Sequence, residues 1–253
     1  MRYFIELSYN GSGYHGWQNQ PNAISVQEVV ENALSTLLNE TVLVMGAGRT
    51  DAGVHASQMF AHFDTEVVFK TPELVFKLNS FLPNDVAIAD VFKVKPEMHA
   101  RFYALSRTYL YRVSVVKNVF TSDASYYVKQ TLNIDKMNAA SKILLAYKDF
   151  QCFSKSKTDV KTYHCDIMQA VWLVKDNELH FVIKANRFLR NMVRAIVGTL
   201  ISIGLGKMEV ETLHTIIQSK NRSEAGFSVP AQGLYLTHIE YPEGIKDNKY
   251  DLK

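Results

Sequence analysis

The 253-residue chain allows one large domain or two modest ones. Its 47% hydrophobic and 21% charged residues are ordinary for a soluble globular protein with a sizeable core. The net charge of +3 leaves the partner open, while the two distant cysteines, Cys152 and Cys165, exclude a disulfide framework and point to a reducing, cytoplasmic setting.

Arg2–Tyr9 alternates polar and apolar residues, which predicts a strand that begins without a secretory signal before it. Ser25-Val26-Gln27-Glu28 is a capping box opening a helix with an apolar stripe from Val26 to Leu37. Thr41–Met45 is a short β-rich run, and a strand over Ser57–Phe63 follows a glycine-rich loop. Thr71-Pro72 opens a second helix, with Pro at its first position. Leu82-Pro83-Asn84-Asp85 turns the chain into a strand over Val86–Val94.

The second half repeats the order. A strand is predicted over Leu105–Val116, a helix over Asp135–Tyr147, and a hairpin from Asp166–Val174 to Leu179–Lys184. Helices over Phe188–Ile203 and Val210–Ser219 precede a strand over Gly233–Tyr241. The apolar stretch Ala195–Leu205 is too short to span a bilayer, so no membrane association is expected. The fold class expected is α+β, with two ferredoxin-like βαββαβ units, residues 1–104 and 105–253, whose mainly antiparallel sheets join into one.

Positive charge is clustered. Met98–Ser122 holds no Asp or Glu but has Arg101, Arg107, Arg112 and Lys117. Leu179–Met208 is equally free of acids and carries Lys184, Arg187, Arg190, Arg194 and Lys207. Arg187, Arg190 and Arg194 are spaced for one helix face, opposite Leu189, Met192, Val193 and Ile196. One such run is usually a solvated face, but two favour a polyanion. Phe102, Tyr103, Tyr109 and Tyr111 lie within the first run, a mixture suited to unstacked bases. Tyr109 and Tyr111 share a strand face, so either also fits a core position.

The segment Gly46-Ala47-Gly48-Arg49-Thr50-Asp51-Ala52-Gly53-Val54-His55 is longer than a tight hairpin needs. Its glycines permit unusual backbone angles. Arg49 would keep the Asp51 carboxylate ionised, as a nucleophile or base needs. An Asp in such a loop equally serves to hydrogen-bond its own turn. Dinucleotide and phosphate-loop patterns fail here, because Asp51 stands where the third glycine belongs and no Gly-Lys-Ser/Thr occurs. The eight histidines form no metal-binding pattern, so neither a metal nor a cofactor is expected.

At these residues the chain resembles the bacterial tRNA pseudouridine synthase A family. The resemblance rests on ordered strings: Tyr9-Asn10-Gly11-Ser12-Gly13-Tyr14-His15-Gly16-Trp17-Gln18, Ser25-Val26-Gln27-Glu28, Ala47–His55, His99-Ala100-Arg101-Phe102, Tyr109-Leu110-Tyr111, Asn191–Gly198 and Gly233-Leu234-Tyr235-Leu236. It implies a cofactor- and metal-free homodimer that isomerises uridine to pseudouridine at positions 38, 39 and 40 of the tRNA anticodon stem-loop. It further implies that Asp51 is the essential aspartate and Tyr109 the ring stacked on the target base. Arg194 would then pair with the aspartate, Arg49 would aid base flipping, and the active site would lie in a cleft between the halves. Two features depart from the family pattern: Thr108 stands where a basic residue is common, and the Ser154–Tyr163 region is short and differently charged. A non-catalytic RNA-binding module and a small-molecule enzyme of the same fold class are the competing readings.

Overall fold

A computed structural model describes residues 1–155 and 160–246. The protein is α+β, with five α-helices and mostly antiparallel strands among the described residues. The chain divides into two compact units: Met1–Leu105 with Leu236–Lys253, and Ser106–Tyr235.

The first unit runs β1 (Arg2–Tyr9), α1 (Val26–Leu38), β2 (Val44–Gly46), β3 (His55–Asp64), α2 (Thr71–Phe81) and β4 (Val86–Val94). Strands β1 and β4 have the predicted bounds, because alternation and the Pro83 turn leave little freedom. Helix α1 starts where the capping box predicts, the Ser25 hydroxyl accepting from the Glu28 amide at 3.1 Å. Strand β1 pairs antiparallel with both β3 and β4, and β2 pairs with β3, giving the order β4-β1-β3-β2. Ile5 and Leu7 of β1 share a sheet face with Met59 and Phe63, and these are fully buried along with Leu34 and Leu78 of the helices; Phe4, on the opposite face, is buried against Phe92 and Tyr241.

The second unit runs β5 (Ser106–Ser114), β6 (Tyr126–Tyr127), α3 (Ile134–Leu144), β7 (Ile167–Lys175), β8 (Glu178–Ala185), α4 (Met192–Gly204) and α5 (Thr212–Ser219). Strand β9 (Leu234–Glu240) leads the chain from this unit back into the first. The predicted hairpin is β7–β8, with Asp176 in a left-handed conformation in its turn (φ 53°). The two-residue β6 pairs parallel with β5. Tyr111, Met137, Phe150, Phe153 and Phe181 are fully buried. No helix among the described residues is long and apolar enough to cross a membrane.

Helix α4 corrects one expectation. It begins at Met192, not Phe188, because Asn191 takes a left-handed backbone (φ 67°) that a helix cannot carry. Arg187 and Arg190 therefore precede the helix and do not share a helical face with Arg194. The apolar stripe holds: Leu189, Met192, Val193 and Ile196 are all buried.

Candidate active site

The Asp51 loop connects β2 to β3 and is held by main-chain contacts. Asp51-Ala52-Gly53-Val54 forms a turn in which the Asp51 carbonyl accepts from the Val54 amide at 3.1 Å. Gly53 supplies the positive φ (76°) that a type II turn needs at its third position. The closing acceptor is thus the Asp51 main chain. Asp51 is partly exposed and Arg49 is exposed, both in this one loop.

Residues 9–17 cradle the loop. The Gly53 amide donates to the Tyr14 carbonyl at 3.2 Å, and the Trp17 amide donates to the Thr50 carbonyl at 3.3 Å. The Tyr9 hydroxyl lies 2.9 Å from the Thr50 hydroxyl. The buried His55 ring accepts from the Gly11 amide through Nδ1 at 3.1 Å, so that nitrogen carries no proton. Two glycines allow the backbones to approach this closely. A Cβ on Gly11 would stand 2.0 Å from the Val54 carbonyl oxygen. One on Gly16, whose φ is +90°, would stand 2.3 Å from the Thr50 carbonyl oxygen. Tyr14 is anchored in turn, its hydroxyl donating to Asp85 at 2.6 Å. Burial and that carboxylate raise the Tyr14 pKa well above the usual phenol value.

Sequence reasoning did not assign this cradle. Its signal was present in Gly11, Gly13, Gly16 and Trp17 within seven residues, but glycines do not reveal which segment they approach.

Tyr109 and Arg194 belong to the second unit. Tyr109 sits on β5 opposite Ile183 of β8, half-buried, its ring edge-on to Phe188 at 5.1 Å. Tyr111, two residues on, is fully buried and donates to the Pro230 carbonyl at 2.8 Å. Of the two candidate tyrosines, Tyr111 is therefore core. Burial raises its pKa, and the Arg194 guanidinium pulls in the opposite direction. Arg194 lies in the first turn of α4, and its Nε donates to the Val229 carbonyl at 2.7 Å.

The basic runs divide by the partners of their side chains. Arg112 is engaged by Glu178 through two bonds of 2.9 and 2.8 Å; burial raises the pKa of that carboxylate, but the Arg112 bonds together with the His180 ring at 2.8 Å hold it below its usual value. Arg112 and Glu178 form a fork-shaped ion pair across β5 and β8, and it stabilises the sheet. Arg107 donates to the Asn186 carbonyl at 2.9 Å, and Thr108 faces Lys184 across the same strand pair. Of the Ser154–Tyr163 region, residues 156–159 lie outside the described residues. The Lys155 amide bonds the Arg190 carbonyl at 3.0 Å. Among the described residues no group of three or more His, Cys, Asp or Glu side chains is placed to hold a metal ion.

A family model described as tRNA pseudouridine synthase matches residues 140–242. The tRNA pseudouridine synthase A of Bacteroides thetaiotaomicron is 51% identical over 97% of this chain and 92% of its own length. That of Bacteroides fragilis is 50% identical over 97% and 98%. A more distant relative of the same name, from Aliivibrio salmonicida, is 37% identical over 96% and 94%. These relatives cover both the Asp51 loop with its cradle and the Tyr109 and Arg194 positions, and the chain belongs to the tRNA pseudouridine synthase A family.

Proposed function

We propose that this protein isomerises uridine to pseudouridine in tRNA, at positions 38, 39 and 40 of the anticodon stem-loop, as a homodimer without cofactor or metal. The observation that carries the reading is identity of about half over nearly the full chain with enzymes named for this reaction. The order β4-β1-β3-β2 of the first unit supports its reading as a ferredoxin-like βαββαβ unit.

The reaction breaks the C1′–N1 bond, turns the uracil, and joins C1′ to C5. The C5 proton is lost and N1 gains one, so the product is an isomer. The target base must first leave its stack, at a cost of a few kcal/mol. Stacking on Tyr109 returns about 1–3 kcal/mol of this. Arg49, exposed beside the carboxylate, occupies the vacated space or holds a phosphate. Family membership supports Arg194, whose Nε is fixed on Val229, as the partner of the carboxylate.

Asp51 acts either as nucleophile on the sugar or base, or as the base that removes the C2′ proton. The cradle supports a catalytic carboxylate, because backbone contacts that do not depend on the carboxylate position the loop. Asp51→Asn should bind unmodified tRNA with near-normal affinity and form no pseudouridine. Turnover near the parent rate would refute the role of Asp51.

A further inference from the structure

Helix α4 is buried along its length except at Arg194, which is half-buried. What sets the direction of that side chain is the segment 222–230, which runs against the helix. Arg194 Nε donates to the Val229 carbonyl at 2.7 Å, and the Val229 amide donates back to the Arg194 carbonyl at 3.2 Å. This reciprocal pair fixes one edge of the planar guanidinium.

The segment is itself tied down by a polar knot. Arg222 donates to the Ser228 hydroxyl at 2.8 Å and to the Gly226 carbonyl at 3.1 Å. Asn191 donates to the same hydroxyl at 2.6 Å. Asn191 stands at the N-cap of α4 but makes no side-chain cap bond to the helix; its amide is committed to Ser228. Two turns further along, the Gly226 amide donates to the Thr199 hydroxyl at 2.9 Å. The Phe227 carbonyl fills the space beside Gly198, where a Cβ would fall 1.8 Å from its oxygen. The stretch 226–228 is thus held at both ends, and Val229 follows directly.

We propose that Arg222 is a positioning residue. With Ser228 it fixes the segment 222–230 in the one register on α4 that aims the Arg194 guanidinium. Arg222 acts through Arg194, and the proposal rests on the reading of Arg194 as partner of the catalytic carboxylate. Arg222→Lys keeps the charge but loses the planar set of donors that serves Ser228 and Gly226 together. Ser228→Ala is a milder variant that removes the shared acceptor.

The test is a double-mutant cycle on steady-state pseudouridine formation with unmodified tRNA, alongside thermal denaturation. Each variant alone should lower kcat by about tenfold, with KM little changed, as expected for a displaced catalytic partner. In an Arg194→Ala background neither should lower kcat further, while each lowers Tm as much as it does in the parent. Equal fold losses of kcat in both backgrounds would overturn the proposal, as would an unchanged kcat or an effect on KM alone. If Arg194→Ala itself turned over at the parent rate, the assigned role of Arg194 would fall first, and this outcome is separately visible.

Discussion

Replacing Gly16 by Ala tests whether the cradle sets the geometry of the Asp51 loop. The φ of +90° strains any L side chain, costing about 1–2 kcal/mol. The new Cβ would fall 2.3 Å from the Thr50 carbonyl oxygen and 3.1 Å from the Asp51 carbonyl carbon. Relief of that clash requires the Thr50–Asp51 backbone to retreat by about 1 Å, because carbon–oxygen contacts settle near van der Waals separation. That movement also stretches the 3.3 Å bond from the Trp17 amide to Thr50. Misplacement by about 1 Å is worth on the order of 100-fold in rate. The expected outcome is a roughly 100-fold fall in kcat with a Tm lowered by about 5 °C. Single-turnover pseudouridine formation on a tRNA transcript, with thermal denaturation beside it, reads both. Gly48→Ala is the control: it lies in the same loop, has no positive φ, and nothing stands within 4 Å of its Cβ position. Its Tm should match the parent. If Gly16→Ala turned over at the parent rate, the cradle would not be what positions Asp51.

Tyr9→Phe removes the hydroxyl 2.9 Å from that of Thr50, and Thr50→Val removes its partner. Each should cost about 1 kcal/mol of stability, and the pair should be non-additive in a denaturation cycle. Tyr109→Phe should retain tRNA affinity and Tyr109→Ala should lose about 1–3 kcal/mol of it in a binding titration, since the ring supplies the stacking surface; equal losses would assign the role to the hydroxyl. The buried His62, which accepts from the Ala100 amide and lies near Arg2 and His99, has its pKa lowered by burial and those charges from 6.5 to about 4. As pH falls, the unfolded chain takes up this proton first. The stabilisation is complete above about pH 6.5 and is lost towards pH 4, amounting to about 3 kcal/mol. Denaturant titrations across that range should show the loss, and His62→Gln should flatten it. A His62 ring titrating near 6.5 by NMR would refute the assignment.

The sequence exposed those features whose cause is local. Strand β1 and strand β4 were legible to the residue, and α1 was legible through its Ser25 cap. The apolar periodicity of α4 ran four residues too far upstream, because Phe188 and Leu189 continue the pattern that the Asn191 backbone breaks. An Asn before an apolar stripe was the available signal for a later start. Strand β6 has two residues, too few to show a period. The acid-free runs exposed the charge but not its use: Arg112 serves Glu178, which lies just outside the second run and becomes its partner only through the β5–β8 register.

The same distinction explains why the Asp51 segment was readable while its support was not. The carboxylate, the flanking Arg49 and the glycines lie within ten residues, so their chemistry shows in one string. The contacts that hold them join residues 9–17 to 50–55; the Tyr14–Gly53 and Trp17–Thr50 bonds are backbone to backbone, while the Gly11–His55 and Tyr9–Thr50 bonds use side chains. Main-chain contacts leave little mark on side-chain composition beyond glycines at the points of approach. They also separate two functions that many sites combine. Position is set by the carbonyls of Tyr14 and Thr50 and by the Gly11 amide, none of which is a contact of the Asp51 carboxylate. On this arrangement a substitution in the cradle moves the carboxylate without altering it, whereas Asp51→Asn alters it without moving the loop. The first should slow the reaction in proportion to displacement; the second should stop it with the tRNA still bound.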